Sequence, residues 1–293
     1  MLEVRGLTKS YGPLLAADDV SFALRPGEIF GFIGSNGAGK TTTIRMLATL
    51  LEPDAGTATL DGADLRRDPM EIRRQIGYMP DFFGLYEDVK VWEYLDYFAT
   101  IYRVPPRQRK GVIANVLELV NLTGKSEAMA GSLSRGMQQR LALARCLVHD
   151  PKLLLLDEPA SGLDPRARAE LKELITELGQ MGKIVLVSSH ILPELADFCT
   201  SVGIIERGRM LACGPVDEIV RGIRQTRTLE VRLVEQAAEA SMWSHGKPHV
   251  QGTHMTGAST FRLEFAGGDA EQAQYLADLV GAGYRVVSLK ESA

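Results

Sequence analysis

Residues Gly34 to Thr42 read GSNGAGKTT and contain the spacing G-x-x-x-x-G-K-[ST] of a phosphate-binding P-loop. Its glycines, Gly34, Gly37 and Gly39, let backbone N–H groups curl around phosphate oxygens with no Cβ in the way. Lys40 places a point charge against the β- and γ-phosphates, and the Thr41 hydroxyl is set to ligate Mg²⁺. With Asn36 and Thr42 these residues form one candidate nucleotide cradle. Much further along, Asp157 and Glu158 end the aliphatic run Leu153 to Leu156. An aspartate closing a buried strand is the Walker B arrangement, in which Asp157 holds Mg²⁺ through a water. Glu158 is the next residue and points elsewhere, where it can orient or deprotonate an attacking water. His190 ends the following strand-like run, on the same sheet edge and in reach of a γ-phosphate. Each residue alone has a bland reading as a capping carboxylate or a loop histidine. Together and in this order they describe phosphoryl transfer from a nucleotide, which needs a cradle, a metal and an oriented water.

The elements that must hold these groups are legible around them. Glu28 to Ile33 is a β-type run, and Ile44, Leu47 and Leu51 are spaced like one helix face. A strand, a glycine loop and a helix N-terminus make an anion site. Residues 1 to 33 read as several short strands, with Tyr11-Gly12-Pro13 in a loop ahead of the sheet. Tyr11 is either a platform for a base or a packed loop tyrosine. Thr57 to Leu60 and Ile76 to Tyr78 read as strands, and Pro69 opens a short helix. Lys152 to Leu156 and Ile184 to Val187 read as buried strands, separated by a helix that Pro165 opens. Two further strands, Val202 to Ile205 and Met210 to Cys213, and a helix from Pro215 close a first unit near Gly222.

Residues 84 to about 150 are predicted to be mostly helical and inserted between strand-rich parts. Nine of the nineteen aromatics fall between Tyr78 and Tyr102, Phe82 and Phe83 among them. They suit the core of a small helical lobe or a groove for another protein, since aromatics are enriched at interface cores. Ser134 is an N-cap candidate for a helix running to His149. Residues 223 to 293 change character: Leu229 to Leu233 and Phe261 to Phe265 alternate, Asp269 to Val280 is amphipathic, and Arg285 to Leu289 is a last strand. This small α+β appendage could serve as a dimer contact, a regulatory module or a partner-binding piece. His245, His249 and His254 lie in a stretch broken by Pro248 and Gly252, with no carboxylate or cysteine beside them to complete a zinc site.

Bulk composition bounds the function. A chain of 293 residues suits one large domain and a small one. The net charge of -4 argues against a nucleic-acid partner, which favours a basic excess. No apolar run approaches the ~20 residues of a membrane helix, and charges in MLEVRGLTKSYG oppose a signal peptide. The three cysteines have no CxxC pattern and read as reduced thiols. A membrane connection would therefore come through a partner.

LSRGMQQR before LLLLDEP, with SGLD after it and His190 after the next strand, resembles the ATP-binding cassette (ABC) family over residues 1 to about 222. The resemblance implies an α/β P-loop NTPase core with an antiparallel β subdomain and an inserted helical subdomain, here followed by the C-terminal α+β domain. It implies ATP and Mg²⁺ as ligands and Tyr11 stacked on adenine. It places Asp81 where the family has a glutamine linking the Mg²⁺ site to the partner. Ser134 and Gly136 would bind the γ-phosphate of ATP held by an opposite subunit, and Asp164 would lie in a loop crossing the dimer. The chain departs from the family pattern at Asp81, Arg135 and Met137. Arg135 would add positive charge near a phosphate or point to solvent. Single cassette, YMPD segment and α/β tail look like exporter subunits of the daunorubicin-resistance type, on the cytoplasmic side of the membrane beside separate permease subunits, as a homodimer or a heterodimer. A soluble ABC ATPase acting on ribosomes or DNA is the alternative, though one P-loop and no sustained heptads speak against it. A P-loop small-molecule kinase would need neither LSRGM nor SGLD.

Overall fold

The computed structural model describes residues 1–82 and 84–291, with the backbone alone for 221–226. Phe83 lies outside the described residues. β1 (Leu2–Tyr11) and β2 (Leu14–Leu24) form an antiparallel hairpin that pairs Tyr11 with Leu14. β3 (Ile29–Ile33) leads through the glycine loop into α1 (Lys40–Leu47). β4 (Ala55–Leu60), β5 (Ala63–Asp64), α2 (Pro69–Gln75) and β6 (Ile76–Met79) follow. The helical lobe comprises α3 (Val91–Ile101), α4 (Pro106–Leu119) and α5 (Arg135–Leu147). β7 (Leu153–Leu156), α6 (Pro165–Gln180), β8 (Ile184–Ser189) and α7 (Leu192–Ala196) return to the sheet, and β9 (Ser201–Glu206) and β10 (Arg209–Pro215) end it as a hairpin. The chain divides into two compact units, Met1–Val216 and the part from Asp217 onward. The division falls at the start of α8 (Val216–Gln225), ahead of the expected boundary near Gly222.

The central sheet runs β10-β9-β3-β8-β7-β6 and is parallel from β9 to β6. Every residue of β3, β7 and β8 is buried. That burial on both faces is why their sequences read as continuous aliphatic runs rather than alternations. Ile33 pairs with Ser189, Leu156 with Val187, and Met79 with Leu156. The glycine loop, Asp81, Asp157 and His190 therefore leave the same carboxyl edge, the place where open parallel sheets bind ligands. A second sheet, β2-β1-β4-β5, is antiparallel, and Phe22, Phe30 and Phe32 stack between the two sheets' strands in one buried cluster.

Two expectations change here. Residues 1 to 33 do not form several short strands: β1 has 10 residues and β2 has 11, with register shifts that bend the hairpin instead of ending it. α1 stops before Leu51 because Thr49 takes a left-handed conformation with φ 58. The aromatic stretch divides between buried and exposed side chains. Tyr94 is buried and packs edge-on to Phe98, whereas Tyr86 and Tyr97 are exposed and Phe82 is 89% exposed.

The second unit has the sheet β12-β13-β11-β14, made of β11 (Thr226–Leu233), β12 (Val250–Gly257), β13 (Thr260–Ala266) and β14 (Val286–Glu291). α9 (Ala237–Ser244) and α10 (Asp269–Gly281) complete it. The alternating residues Leu229, Val231, Phe261, Leu263 and Phe265 form its core with Tyr275 and Leu279. α9 and β12 carry no sequence signal, since AAEASMWS lacks an apolar stripe and VQGTHMTG holds two glycines. His249 Nδ1 bonds the Ala266 carbonyl at 2.8 Å, and among the described residues no group of three or more histidines, cysteines or carboxylates is arranged to hold a metal.

Leu186 is fully buried in β8. Leu186→Ala is expected to cost about 2–5 kcal/mol. In chemical denaturation the midpoint should fall while the slope stays constant; an unchanged midpoint would contradict its central place in the sheet.

Candidate active site

The glycine loop is shaped by two close approaches. A Cβ on Gly34 would lie 2.4 Å from the Ile205 carbonyl. Gly39 has φ 110, and a Cβ there would lie 2.3 Å from the Ala16 carbonyl. Gly39 is also the N-cap of α1 and offers no side-chain bond to the first-turn amides. Those amides and the helix dipole are thus directed at an anion, and the cradle fits a phosphate chain. Lys40 is 5% exposed. Its Nζ donates to the carbonyls of Gly34 at 2.7 Å and Ser35 at 3.3 Å, and lies 3.3 Å from Glu158 Oε1.

Asp157 is fully buried at the end of β7. A buried carboxylate is costly unless hydrogen-bonded, and Ser188 Oγ donates to its Oδ1 at 2.6 Å. The same hydroxyl accepts from the Glu158 N–H at 2.9 Å. Ser188 thus locks the two acidic residues together across β7 and β8. Sequence reasoning passed over it, and its one signal was a hydroxyl at the end of a wholly buried aliphatic strand. Glu158 adopts φ 48, a conformation rare for a non-glycine residue. This turn directs its carboxylate away from Asp157. Oε1 faces Lys40, and Oε2 is 2.9 Å from His190 Nδ1.

A cleft of about 410 Å³ collects these groups. It is walled by the loop from Ser35 to Thr42, including Asn36, Gly37, Thr41 and Thr42, and by Asp81, Glu158, Ser161 and His190. Tyr11 and Leu14 form its far side. Tyr11 is the last residue of β1 at the hairpin tip, not a loop residue ahead of the sheet, and it is 47% exposed, so it is not a packed tyrosine. Gly34 and Asp157 do not line the cleft. Asp81 follows β6 with an exposed side chain, yet crowding by the cleft walls, then the charges of Glu158 and Asp157, push its carboxyl above the usual range. Arg135 opposes that shift.

Ser134 and Gly136 stand apart from the cleft. Ser134 caps α5 by accepting from the Met137 N–H at 3.4 Å, and Gly136 is close-packed on Ala167 of α6. Asp164 caps α6 through the Ala167 N–H at 2.9 Å. Arg135 is exposed, and its Nη2 donates to the Ser161 carbonyl at 3.3 Å.

The ABC transporter family pattern matches residues 17–161. Over 213 residues the chain is 39% identical to the Nod factor export ATP-binding protein I of Burkholderia orbicola (strain AU 1054), covering 73% of this chain and 70% of that protein. Over 259 residues it is 38% identical to the bacitracin transport ATP-binding protein BcrA of Bacillus licheniformis, covering 88% of this chain and 83% of the relative. A solved structure of the ATP-binding subunit of an ABC transporter superposes with a TM-score of 0.68 at 33% identity, over 76% of this chain and 93% of that one. The soluble ribosome- or DNA-directed reading gives way to transport. The chain belongs to the ABC transporter family, as an ATP-binding subunit that hydrolyses ATP to drive transport.

Proposed function

We propose that this chain is the ATPase of an exporter, working as a dimer on the cytoplasmic side of the membrane against separate transmembrane subunits. The observation that carries its chemistry is the Glu158 carboxylate, held between Lys40 Nζ at 3.3 Å and His190 Nδ1 at 2.9 Å beside the phosphate cradle. Loop amides and Lys40 bind the phosphates, and Tyr11 stacks on the adenine. Incoming phosphate competes with Glu158 for the Lys40 ammonium. That exchange frees the carboxylate to accept a proton from the attacking water only once a nucleotide is seated. His190 holds the carboxylate in line. Thr41 and Asp157, with Asp81 close by, would hold Mg²⁺, which neutralises charge developing on the phosphates. Ser134 and Gly136 face no phosphate of their own. They suit the ATP of a second copy, so two chains head to tail close two sites.

Support for an exporter comes from the export and bacitracin-transport names of the relatives. Among the described residues no helix is long and apolar enough to cross a membrane, consistent with separate permease subunits. Their docking place is a cleft of about 450 Å³ where Leu50, Met70, Phe98, Ile101 and Tyr102 mix with Arg73 and Arg145. It fits a short amphipathic helix carrying an acidic residue. The cleft is walled in part by β6, whose next turn carries Asp81. Motion at the nucleotide edge is thereby linked to the partner.

Glu158→Gln is expected to bind ATP normally, to lose roughly 100-fold or more in turnover, and to accumulate as an ATP-bound dimer in gel filtration; unchanged turnover would remove Glu158 as the base. Lys40→Ala should weaken ATP binding in a direct titration, and normal affinity would sink the cradle assignment. If Asp81 relays between the metal and the partner, permease-stimulated turnover should survive Asp81→Gln better than Asp81→Ala. Equal losses in a reconstituted transporter would give the aspartate a role glutamine cannot fill.

A further inference from the structure

Arg135 is turned back onto its own chain. Its Nη2 donates to the Ser161 carbonyl at 3.3 Å. Gly162 lies against the guanidinium, with φ 68, and a Cβ there would fall 2.4 Å from Arg135 Nη2. Ser161 is a wall of the nucleotide cleft, and its N–H donates to the Glu158 carbonyl at 3.0 Å. Glu158 itself sits at φ 48, a conformation that persists only where the surroundings over-determine it. Gln139 Nε2 of α5 donates to the Pro159 carbonyl in the same turn. Arg140 Nη2 of α5 lies 3.5 Å from Glu170 of α6. The first turns of α5 are therefore laced to the segment Glu158 to Gly162 and to the helix that follows it.

We propose that Arg135 is a positioning residue that acts within its own chain: by clamping the Ser161–Gly162 turn it fixes the Glu158 carboxylate between Lys40 and His190. The proposal rests on the reading of Glu158 as the base. A guanidinium suits the task because it is always charged, and its planar donor fork is pre-organised for a carbonyl. The glycine at 162 suits it too, since any side chain there would expel the guanidinium. A cation at this place, next to Ser134 and Gly136, would otherwise be assigned to the ATP of an opposing copy. Its observed partner is instead the turn that follows its own Glu158.

The two directions of action separate in steady-state kinetics of the full chain. Arg135→Ala should lower kcat roughly 10- to 100-fold and leave KM for ATP unchanged. Arg135→Lys keeps a cationic donor for the Ser161 carbonyl and should restore most of kcat. Gly162→Ala should reproduce the loss, and the double variant should lose no more than Arg135→Ala alone, because both break one contact. Mixed dimers of differently tagged copies decide between the chains. With Glu158→Gln in one copy, adding Arg135→Ala to that same copy should leave the remaining turnover intact, and adding it to the other copy should abolish most of it. The reverse pattern, or a raised KM with unchanged kcat, would overturn the proposal. A Glu158→Gln homodimer that hydrolyses ATP normally would overturn the reading of Glu158 and the proposal with it. Normal trapping by Glu158→Gln alongside normal kcat in Arg135→Ala would overturn the proposal alone.

Discussion

Level parallel pairing of β6, β7, β8 and β3 is the constraint on which the site depends. A register slip of one residue in a strand flips every side chain to the other face. A slip of β7 against β8 would part Asp157 from Ser188, which meet through a 2.6 Å bond. The short run of β7 opposes such a slip, because the exposed Lys152 precedes its four buried leucines and a displacement would either draw that charge into the core or move Leu153 out of it. The chemistry is thus placed by apolar packing, and the polar groups occupy only the edge that packing defines. Gly34 shows the same dependence from the loop side, since its N–H bonds the Ser189 carbonyl at 3.3 Å and ties the cradle to the end of β8.

Local cost at that edge is met by local bonds. Asp157 is the buried acid, and the Ser188 hydroxyl both donates to it and accepts from the next backbone N–H. Glu158 carries the backbone strain, and its carboxylate is engaged on each oxygen by a basic group. Removing the Ser188 hydroxyl would leave the buried Asp157 carboxylate unmatched at low dielectric, where the loss is largest. Strain and charge therefore concentrate on adjacent residues whose side chains diverge, which lets one aspartate stay fixed as the other acid changes partners.

The parts legible in the sequence were those whose signal is contained in a short window. GSNGAGKTT, the aliphatic runs and the prolines at 69 and 165 each announce their own geometry, and Ser134 announces its helix start. The long β1–β2 hairpin was read as fragments because bulges interrupt its alternation, while pairing with β4 keeps it continuous. α9 and β12 show no strong apolar period because α9 adds only the small Ala237 and Ala240 to a core whose large side chains come from β11, β13 and α10. Ser188 and Tyr11 gain their roles from neighbours distant in sequence, Asp157 and the loop walls, which no local pattern encodes. Arg135 was visible as a departure, but its direction depends on a rotamer and on a glycine at 162.

The site is also divided in a way that bears on its use. The cleft holds the glycine loop, Glu158 and His190, whereas Ser134 and Gly136 lie outside it at the start of α5. One element thus carries two relations. On the proposed reading its first residues meet the phosphate of a second copy, while Arg135 and Gln139 fasten it to the turn after Glu158. A movement of α5 toward a second nucleotide would pull on the turn that sets the base of the first. The two half-sites of a closed pair would then sense each other through hydrogen bonds inside each chain, with no contact between the two nucleotides required. Coupling of this kind needs an element with two arrangements that both sites bias, and the lacing between α5 and the Glu158 turn supplies the physical link.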